Sequence, residues 1–171
     1  MSLLKKILFS IVLLINLINE SYSNEIYFID LEQILNLSNS GKLVIEELKK
    51  RNNENLEILK VKEKEIKNEE EEVNKIKNLA NQDEINNKMK DLKIKISQYN
   101  ELRNKMFNDF NTLKEKKFKS FFNSVNPLIQ NFMLENDISI LIEKKNIFIG
   151  SEKNDVTNTV IEIINSKLWF L

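Results

Sequence analysis

The feature that most constrains this chain is a stretch of eighty-five residues, 42–126, without a single Gly or Pro. Turns in compact domains are built mainly from these two residue types. The stretch is also rich in Lys, Glu and Leu, which favour helix. The pattern therefore predicts very long helices with at most one break. Such helices suit a reaching or clasping device better than a catalyst.

Short apolar segments lie on either side of the long stretch. Residues 25–30 (EIYFID) and 138–142 (ISILI) each predict a strand that is apolar on both faces. Residues 31–37 place Leu and Ile at helical spacing and predict a short helix. This helix ends at a break formed by Ser38-Asn39-Ser40-Gly41. The long helices therefore leave a small mixed body and return to it.

Two long helices joined by a turn are predicted inside the stretch. The first runs from near Gly41 to about Asn78, and residues 78–84 form the turn, with Asn81 or Asp83 capping the second helix. Apolar residues of the second helix recur every three or four positions, as a packing face requires: Ile85, Met89, Leu92, Ile96, Tyr99, Leu102, Met106, Phe110 and Leu113. The result is an αα-hairpin with arms about 55 Å long.

The facing positions of the first helix are only half apolar. A continuous coiled coil needs apolar residues at both positions of each heptad, whereas this helix carries polar residues at Asn52, Asn55, Lys62 and Glu69. We therefore expect much of the surface of this helix to be exposed.

The C-terminal part returns to the body. Pro127 is expected to kink the second helix or to begin a new segment. A β-hairpin is predicted from residues 138–143 and 147–149, joined through Lys144-Lys145-Asn146, and a last helix begins at Asp155 or Thr157. The predicted fold class is α+β and predominantly α. Residues 24–171 form one domain, with 24–41 and 120–171 as the body and 42–119 as a protruding hairpin arm.

The N-terminus has the pattern of a secretory signal peptide. Lys5 and Lys6 precede an apolar core of about a dozen residues, and Ser21 and Ser23 occupy the −3 and −1 positions of a cleavage site. The core is shorter than the roughly 20 residues that span a bilayer. Cleavage of residues 1–23 is therefore the first expectation, and an uncleaved membrane anchor is the alternative.

The composition excludes several classes of function. Removal of residues 1–23 leaves 24 basic and 25 acidic residues, a balance that argues against nucleic acid as the partner. The chain has no Cys and no His, so it lacks disulfides, thiol chemistry, the commonest general base and the usual zinc ligands. Two glycines cannot make a phosphate-binding loop, and the consecutive Glu69–Glu72 point in different directions on a helix. We predict no enzyme activity and no cofactor.

The order of these segments resembles the Skp/OmpH family of periplasmic chaperones. The matching pieces are Tyr27-Phe-Ile-Asp30, Ser38-Asn-Ser-Gly-Lys42, Asn136-Asp-Ile-Ser-Ile-Leu-Ile142 and Asp155-Val-Thr157. The resemblance covers the mature chain in order and length.

The resemblance implies a homotrimer whose strands form a shared barrel, with three hairpins extending from it. It also implies that unfolded outer-membrane proteins are held between the arms in the periplasm, without ATP. A body with little core of its own agrees with self-association. The candidate residues for oligomerisation are Ile26, Phe28, Ile138, Ile140, Ile142, Ile147 and Ile149.

Holding an unfolded client requires weak apolar contacts on the arms, and scattered aliphatic and Met side chains suit promiscuous binding. The alternative is that these residues pack one helix against the other, which we favour for Ile85, Met89 and Leu92. The candidate client-binding residues are Ile66, Val73, Ile76, Leu79, Ile85, Met89 and Leu92.

The predicted tip is mildly basic, because residues 73–95 carry six Lys against three acidic residues. Lys75, Lys77, Lys88 and Lys90 are candidate contacts to anionic lipid or lipopolysaccharide, with a solvated helix surface as the alternative. Family members are often strongly basic and this chain is not, which weakens the lipopolysaccharide assignment. An exported coiled-coil spacer or adaptor is the competing function; it requires a filled seam along both helices.

Overall fold

The computed structural model describes residues 26–76 and 81–168. The predicted signal peptide, together with Lys77 and Leu79, lies outside the described residues. Two long helices dominate the part of the chain that is described, and a two-stranded sheet accompanies them. The elements in chain order are β1 Ile26–Ile29, α1 Leu31–Leu37, α2 Asn39–Ile76, α3 Gln82–Glu135, β2 Ile140–Glu143 and α4 Thr157–Lys167.

Polar side chains begin each helix of the N-terminal half. Asp30 caps α1 by accepting a hydrogen bond from the Gln33 backbone N–H at 2.9 Å. The Ser38 hydroxyl accepts from the Gly41 N–H at 3.2 Å, which satisfies one free donor at the start of α2. Asn81 caps α3 by accepting from the Glu84 N–H, so the predicted capping role of Asn81 is confirmed.

The α2 and α3 helices pack against each other as an antiparallel pair. They contain 38 and 54 residues, which correspond to about 57 and 81 Å of helix. The longer helix, α3, continues past the start of α2 into the body. The fold class predicted from the sequence, α+β and predominantly α with a long helical hairpin, is confirmed.

Pro127 lies inside α3 and does not end the helix. A helical proline removes the hydrogen bond to the carbonyl four residues earlier. Asn123, Asn126 and Pro127 are all exposed, so water can bind the freed carbonyl. The helix ends later, at Asn136, where Asp137 adopts a positive φ of 53° and the Ile138 N–H donates to the Met133 carbonyl.

The sheet differs from the prediction. Strand β2 pairs with β1 in parallel, with Ile26 opposite Ile140 and Ile29 opposite Glu143. The predicted β-hairpin is wrong, because residues 147–149 form no strand within the described chain. Residues 144–146 form a 3₁₀ turn, closed by a bond from the Ile147 N–H to the Lys144 carbonyl. The other edge of β1 is occupied by the Val156 N–H, which donates to the Phe28 carbonyl.

A single hydrophobic core holds the body together. The side chains of Phe121 and Val125 from α3 are completely buried against Ile34 of α1 and against Val160 and Ile164 of α4. Phe121 also meets the Phe122 ring edge-on, with centroids 5.1 Å apart. The core therefore brings together β1 and α1, the start of α2, the last third of α3, and α4.

Candidate functional site

The seam between α2 and α3 is loosely filled. Along the described arm beyond Leu48 and before Phe121, Ile85 is the one buried residue, with 6% of its surface exposed. The other seam residues are half-buried, and the polar Asn55 and Glu69 are among them. Two of the four polar positions of the seam, Asn55 and Glu69, thus take part in the contact, whereas Asn52 and Lys62 are exposed and much of the arm surface stays in water.

The candidate client-binding residues fall mostly on this seam. Ile66, Val73, Ile76 and Leu92 are half-buried between the helices, and Ile85 is buried. Leu79 lies outside the described residues. The predicted packing stripe is wrong at Met89, which is 54% exposed. Lys88 is the half-buried residue at that turn, where its aliphatic stem can cover apolar surface while the ammonium stays in water.

Apart from Met89, the described candidates are less exposed than a second set of apolar side chains on the arm. The signal of this set in the sequence was its position outside the seven-residue seam, since an apolar residue away from the packing stripe has no partner on the other helix. The set consists of Leu43, Leu56, Ile58, Val61, Ile94 and Phe107.

Two concave surfaces flank the seam at the middle of the arm. One, of about 470 Å³, contains Leu56 and Phe107. The other, of about 610 Å³, contains Ile58 together with Arg51, Lys105 and Lys116. The two flanks therefore differ in charge: the first has Arg103 as its one charged residue, and the second has three cations together with Asp109.

The oligomerisation candidates divide into two groups. Phe28 and Ile138 are buried within their own chain, and Ile142 and Ile147 are half-buried. Ile26 and Ile140, which are register partners, are about half exposed, and Ile149 is 84% exposed. The neighbouring Phe148, which the sequence analysis did not select, is fully exposed. Apolar surface is thus exposed on the sheet at Ile26 and Ile140 and in the following loop at Phe148 and Ile149.

A polar network fixes the base of the segment that carries Phe148. Lys144 and Asp155 lie at the two ends of this segment, and the Lys144 ammonium donates to Asp155 Oδ2 at 2.5 Å. The Thr157 hydroxyl and backbone N–H donate to Asp155 Oδ1. The same hydroxyl accepts from the Asp30 N–H at 2.9 Å, which links the segment to β1.

The network shifts the pKa values of its charged members. Burial alone would raise the pKa of Asp155, but the hydrogen bonds from Lys144 and Thr157 outweigh it and lower the pKa below its usual value. The hydrogen bond to Asp155 raises the pKa of Lys144. Both groups are therefore charged at neutral pH, and the ion pair between Lys144 and Asp155 is formed there.

The tip lysines are placed only in part. Lys75 and Lys90 are exposed and Lys88 is half-buried, while Lys77 lies outside the described residues. Further along the arm, Lys95 and Glu69 form an ion pair that joins the two helices. Contact of the tip with an anionic surface stays a prediction.

Neither a metal site nor a membrane span emerges from the described residues. No group of three or more Asp or Glu side chains there is arranged to hold a metal ion. None of the described helices is long and apolar enough to cross a membrane.

The fold has a solved relative. A crystal structure of an OmpH-like protein from Caulobacter crescentus CB15, described as a candidate outer membrane chaperone, matches with a TM-score of 0.75. The match covers 85% of this chain and 86% of that chain, at 16% sequence identity. The similarity extends over both the hairpin and the body and shows that the fold is shared. No curated protein sequence matches the chain.

The sequence identity to the solved structure is too low to assign the chain to a family. A family model provides that assignment. The model described as outer membrane protein (OmpH-like) matches residues 25–164, from the first strand to the last helix. The matched region includes the four sequence pieces that carried the resemblance. It also spans well over half of the chain, so this protein belongs to the OmpH-like family.

Proposed function

We propose that this protein is a periplasmic holdase chaperone that binds unfolded outer-membrane proteins between its helical arms without ATP. The observation that carries the proposal is the set of exposed apolar side chains on long, otherwise polar helices. Phe107 is the most exposed of them, at 66%. Family membership supports the same function, and the solved relative is described as a candidate chaperone of the same kind.

The arm suits a client without a fixed shape. Its apolar side chains are separated along the helices, so each contact is weak and can be exchanged for another. Unfolded chains offer many such partners in varying order, and a surface of scattered aliphatic, Met and aromatic residues accepts them without one fixed complement. Aggregation is slowed because these contacts compete with contacts between clients.

We propose further that the protein acts as a homotrimer. Ile26 and Ile140 leave apolar surface exposed on the sheet, and Phe148 and Ile149 do so in the loop that follows it. Within the described chain, β2 pairs with β1 on one side only. An unpaired strand edge flanked by apolar side chains is a site for pairing with another copy. Assembly would also set several arms around a common space.

The competing proposal, an exported spacer or adaptor, has less support. A spacer needs a filled seam and a polar exterior, because exposed apolar side chains on a permanent strut invite aggregation. The arm has polar residues in its seam and a large aromatic side chain outside it. The unfilled seam and exposed aromatic side chain favour the holdase.

The test is native mass spectrometry on residues 24–171, alone and after addition of a urea-unfolded outer-membrane β-barrel protein, without nucleotide. A trimer that captures one client, together with reduced light scattering from the diluted client, is the expected result. A monomer or dimer that leaves client aggregation unchanged would overturn the proposal in favour of the spacer. N-terminal sequencing of the exported protein tests cleavage before Asn24.

A further inference from the structure

The flank of the arm that carries Phe107 forms a groove with a defined floor and wall. Leu59 of α2 and Met106 and Phe110 of α3 are half-buried and line its floor. Leu56 and Phe107 stand exposed on opposite helices at its sides. We call this surface the Phe107 groove. Its volume of about 470 Å³ falls within the range of pockets that hold small ligands or a few side chains.

The polar lining of the groove has a specific composition. It consists of the amides of Asn52, Asn55 and Asn104 and the guanidinium of Arg103, with no carboxylate among the described lining residues. The groove therefore disfavours cationic occupants. Each amide also offers both a hydrogen-bond donor and an acceptor beside the apolar floor.

These two properties distinguish an extended peptide from a helix as the occupant. In a helix the backbone N–H and C=O groups are already paired, so the amides at the rim would find no backbone partner. In an extended chain the same groups are free on both sides, and alternate side chains point in opposite directions. One apolar side chain can then enter the groove while the neighbouring backbone meets the amides.

We propose that the Phe107 groove binds an extended client segment in which apolar or aromatic side chains alternate with small polar ones. The strands of transmembrane β-barrels have this alternation over about ten residues. The inference rests on the proposed holdase function, because it names the surface and the client segment that this function would use. A groove of this size accepts one or two side chains, so binding by one arm is weak and several arms act together.

The chain offers a matched control for testing the groove. Ile94 lies thirteen residues before Phe107 on α3, which places the two on nearly opposite faces of the helix. Ile94 is 46% exposed and is absent from the groove lining. Phe107→Ser and Ile94→Ser therefore each remove one exposed apolar side chain from the same helix, and only the first alters the groove.

The first experiment measures the affinity of the exported, full-length mature protein and both variants for a urea-unfolded β-barrel protein by fluorescence anisotropy. Phe107→Ser is expected to weaken binding roughly tenfold, because it removes most of the area of one apolar contact. Ile94→Ser is expected to stay within about twofold of the wild type, as a surface change remote from the site. Circular dichroism of both variants checks that helix content is unchanged.

The second experiment uses labelled ten-residue peptides. One alternates Leu and Tyr with Ser and Thr, and the other has the same composition with the apolar residues grouped together. The alternating peptide is expected to bind more tightly, and Phe107→Ser is expected to remove the difference. A wild-type protein that fails to bind the β-barrel protein would overturn the holdase proposal. The peptide experiment would then test, independently of that proposal, whether the groove binds extended segments.

Three results would overturn the proposal that the groove binds the client and would leave the holdase proposal standing. The first is client binding that Phe107→Ser and Ile94→Ser weaken equally. The second is equal affinity for the alternating and the grouped peptide. The third is a loss of self-association in Phe107→Ser with client affinity unchanged, which would make a second copy of the chain the occupant.

Discussion

The body and the arm of this protein use the same kinds of residue in two different ways. In the body, Phe121, Ile34 and Ile164 are completely buried, and side chains from five elements belong to the same core. In the described arm beyond Leu48 and before Phe121, Ile85 alone is buried, and it keeps 6% of its surface exposed. Apolar residues are present in both regions, but only the body removes them completely from water.

This difference shows where the stability of the fold resides. Burial of apolar area is the main favourable term in folding, so the body supplies most of it. The arm depends on helix propensity, on partial burial along the seam and on its connection to the body. Regions with few buried contacts open locally at lower free energy than a core does. A loosely packed arm can therefore open locally while the body stays folded.

Truncation in the body should have the largest effect. Phe121→Ala removes a completely buried ring and is expected to lower the free energy of unfolding by about 3–5 kcal/mol. Urea unfolding followed by circular dichroism, at fixed protein concentration, measures the loss. The control is Phe107→Ala on the arm, where a change within about 0.5 kcal/mol is expected because that side chain is mostly in water. Equal losses would show that the arm is packed as tightly as the body.

The junction between the two regions gives the next largest effect. A Cβ on Gly41 would lie 2.1 Å from the Leu35 carbonyl oxygen, where the start of α2 passes the end of α1. Gly41→Ala is therefore expected to cost about 1–3 kcal/mol through overpacking. Asn68→Ala on the exposed part of α2 is the control and should be neutral or stabilising by a few tenths of a kcal/mol. Stabilisation by Gly41→Ala would mean that the junction is open.

Acid should weaken the body through Asp155. The folded-state pKa of this carboxyl is lowered, so its contribution to stability is present above the unfolded value of about 3.9 and is lost as pH falls through the lower folded value. Asp155→Asn is expected to cost about 1–2 kcal/mol at pH 7, through loss of hydrogen bonds to a charged acceptor.

The pH dependence tests this explanation separately from the size of the effect. Urea unfolding at pH 7, 5, 4 and 3 should show the wild type losing more stability than Asp155→Asn between pH 5 and 3. The two proteins should therefore converge as acid is added. Parallel curves would contradict a role for the charge of Asp155. The side chain would then contribute to stability only through its shape.

The smallest effect is expected from the ion pair between Lys95 and Glu69 on the arm. The Lys95 side chain is 51% exposed and that of Glu69 is 32% exposed. Ion pairs that are open to water contribute little to stability and are screened by salt. Lys95→Ala should leave the melting temperature nearly unchanged at physiological salt. A large decrease, or one that persists at 1 M salt, would show that single contacts hold the arm together.

Local signals in the sequence located most helix boundaries. The short helix over residues 31–37, the cap at Asn81 and the start of the last helix at Thr157 all follow from side chains within a few positions of the boundary. Non-local features were harder to predict. The parallel pairing of Ile26 with Ile140 depends on how the arm returns the chain, and no short-range pattern encodes it.

The functional surface was predictable only in part, for a related reason. Seam residues such as Ile66 and Val73 stand out because they repeat, and a repeating residue on a helical hairpin tends to be covered by the partner helix. Phe107 and Leu56 have no such periodicity, and only the positions of both helices reveal that they flank one groove. Lys88 and Met89 occupy adjacent positions of the heptad, and the spacing of apolar residues does not show which of the two faces the seam.

The parallel pairing of β1 with β2 also determines the order in which the molecule can form. The two strands are separated in sequence by the whole of α2 and α3, so the sheet cannot close until the hairpin has brought its ends together. Without that hairpin, closure would require ordering a loop of more than one hundred residues, whereas a preformed helical pair shortens the effective distance. During synthesis, which starts at the N-terminus, β1 therefore stays without its partner strand until the last third of the chain has been made. Only chains that extend through β2 can then present the strand edge at which copies would join in the proposed trimer.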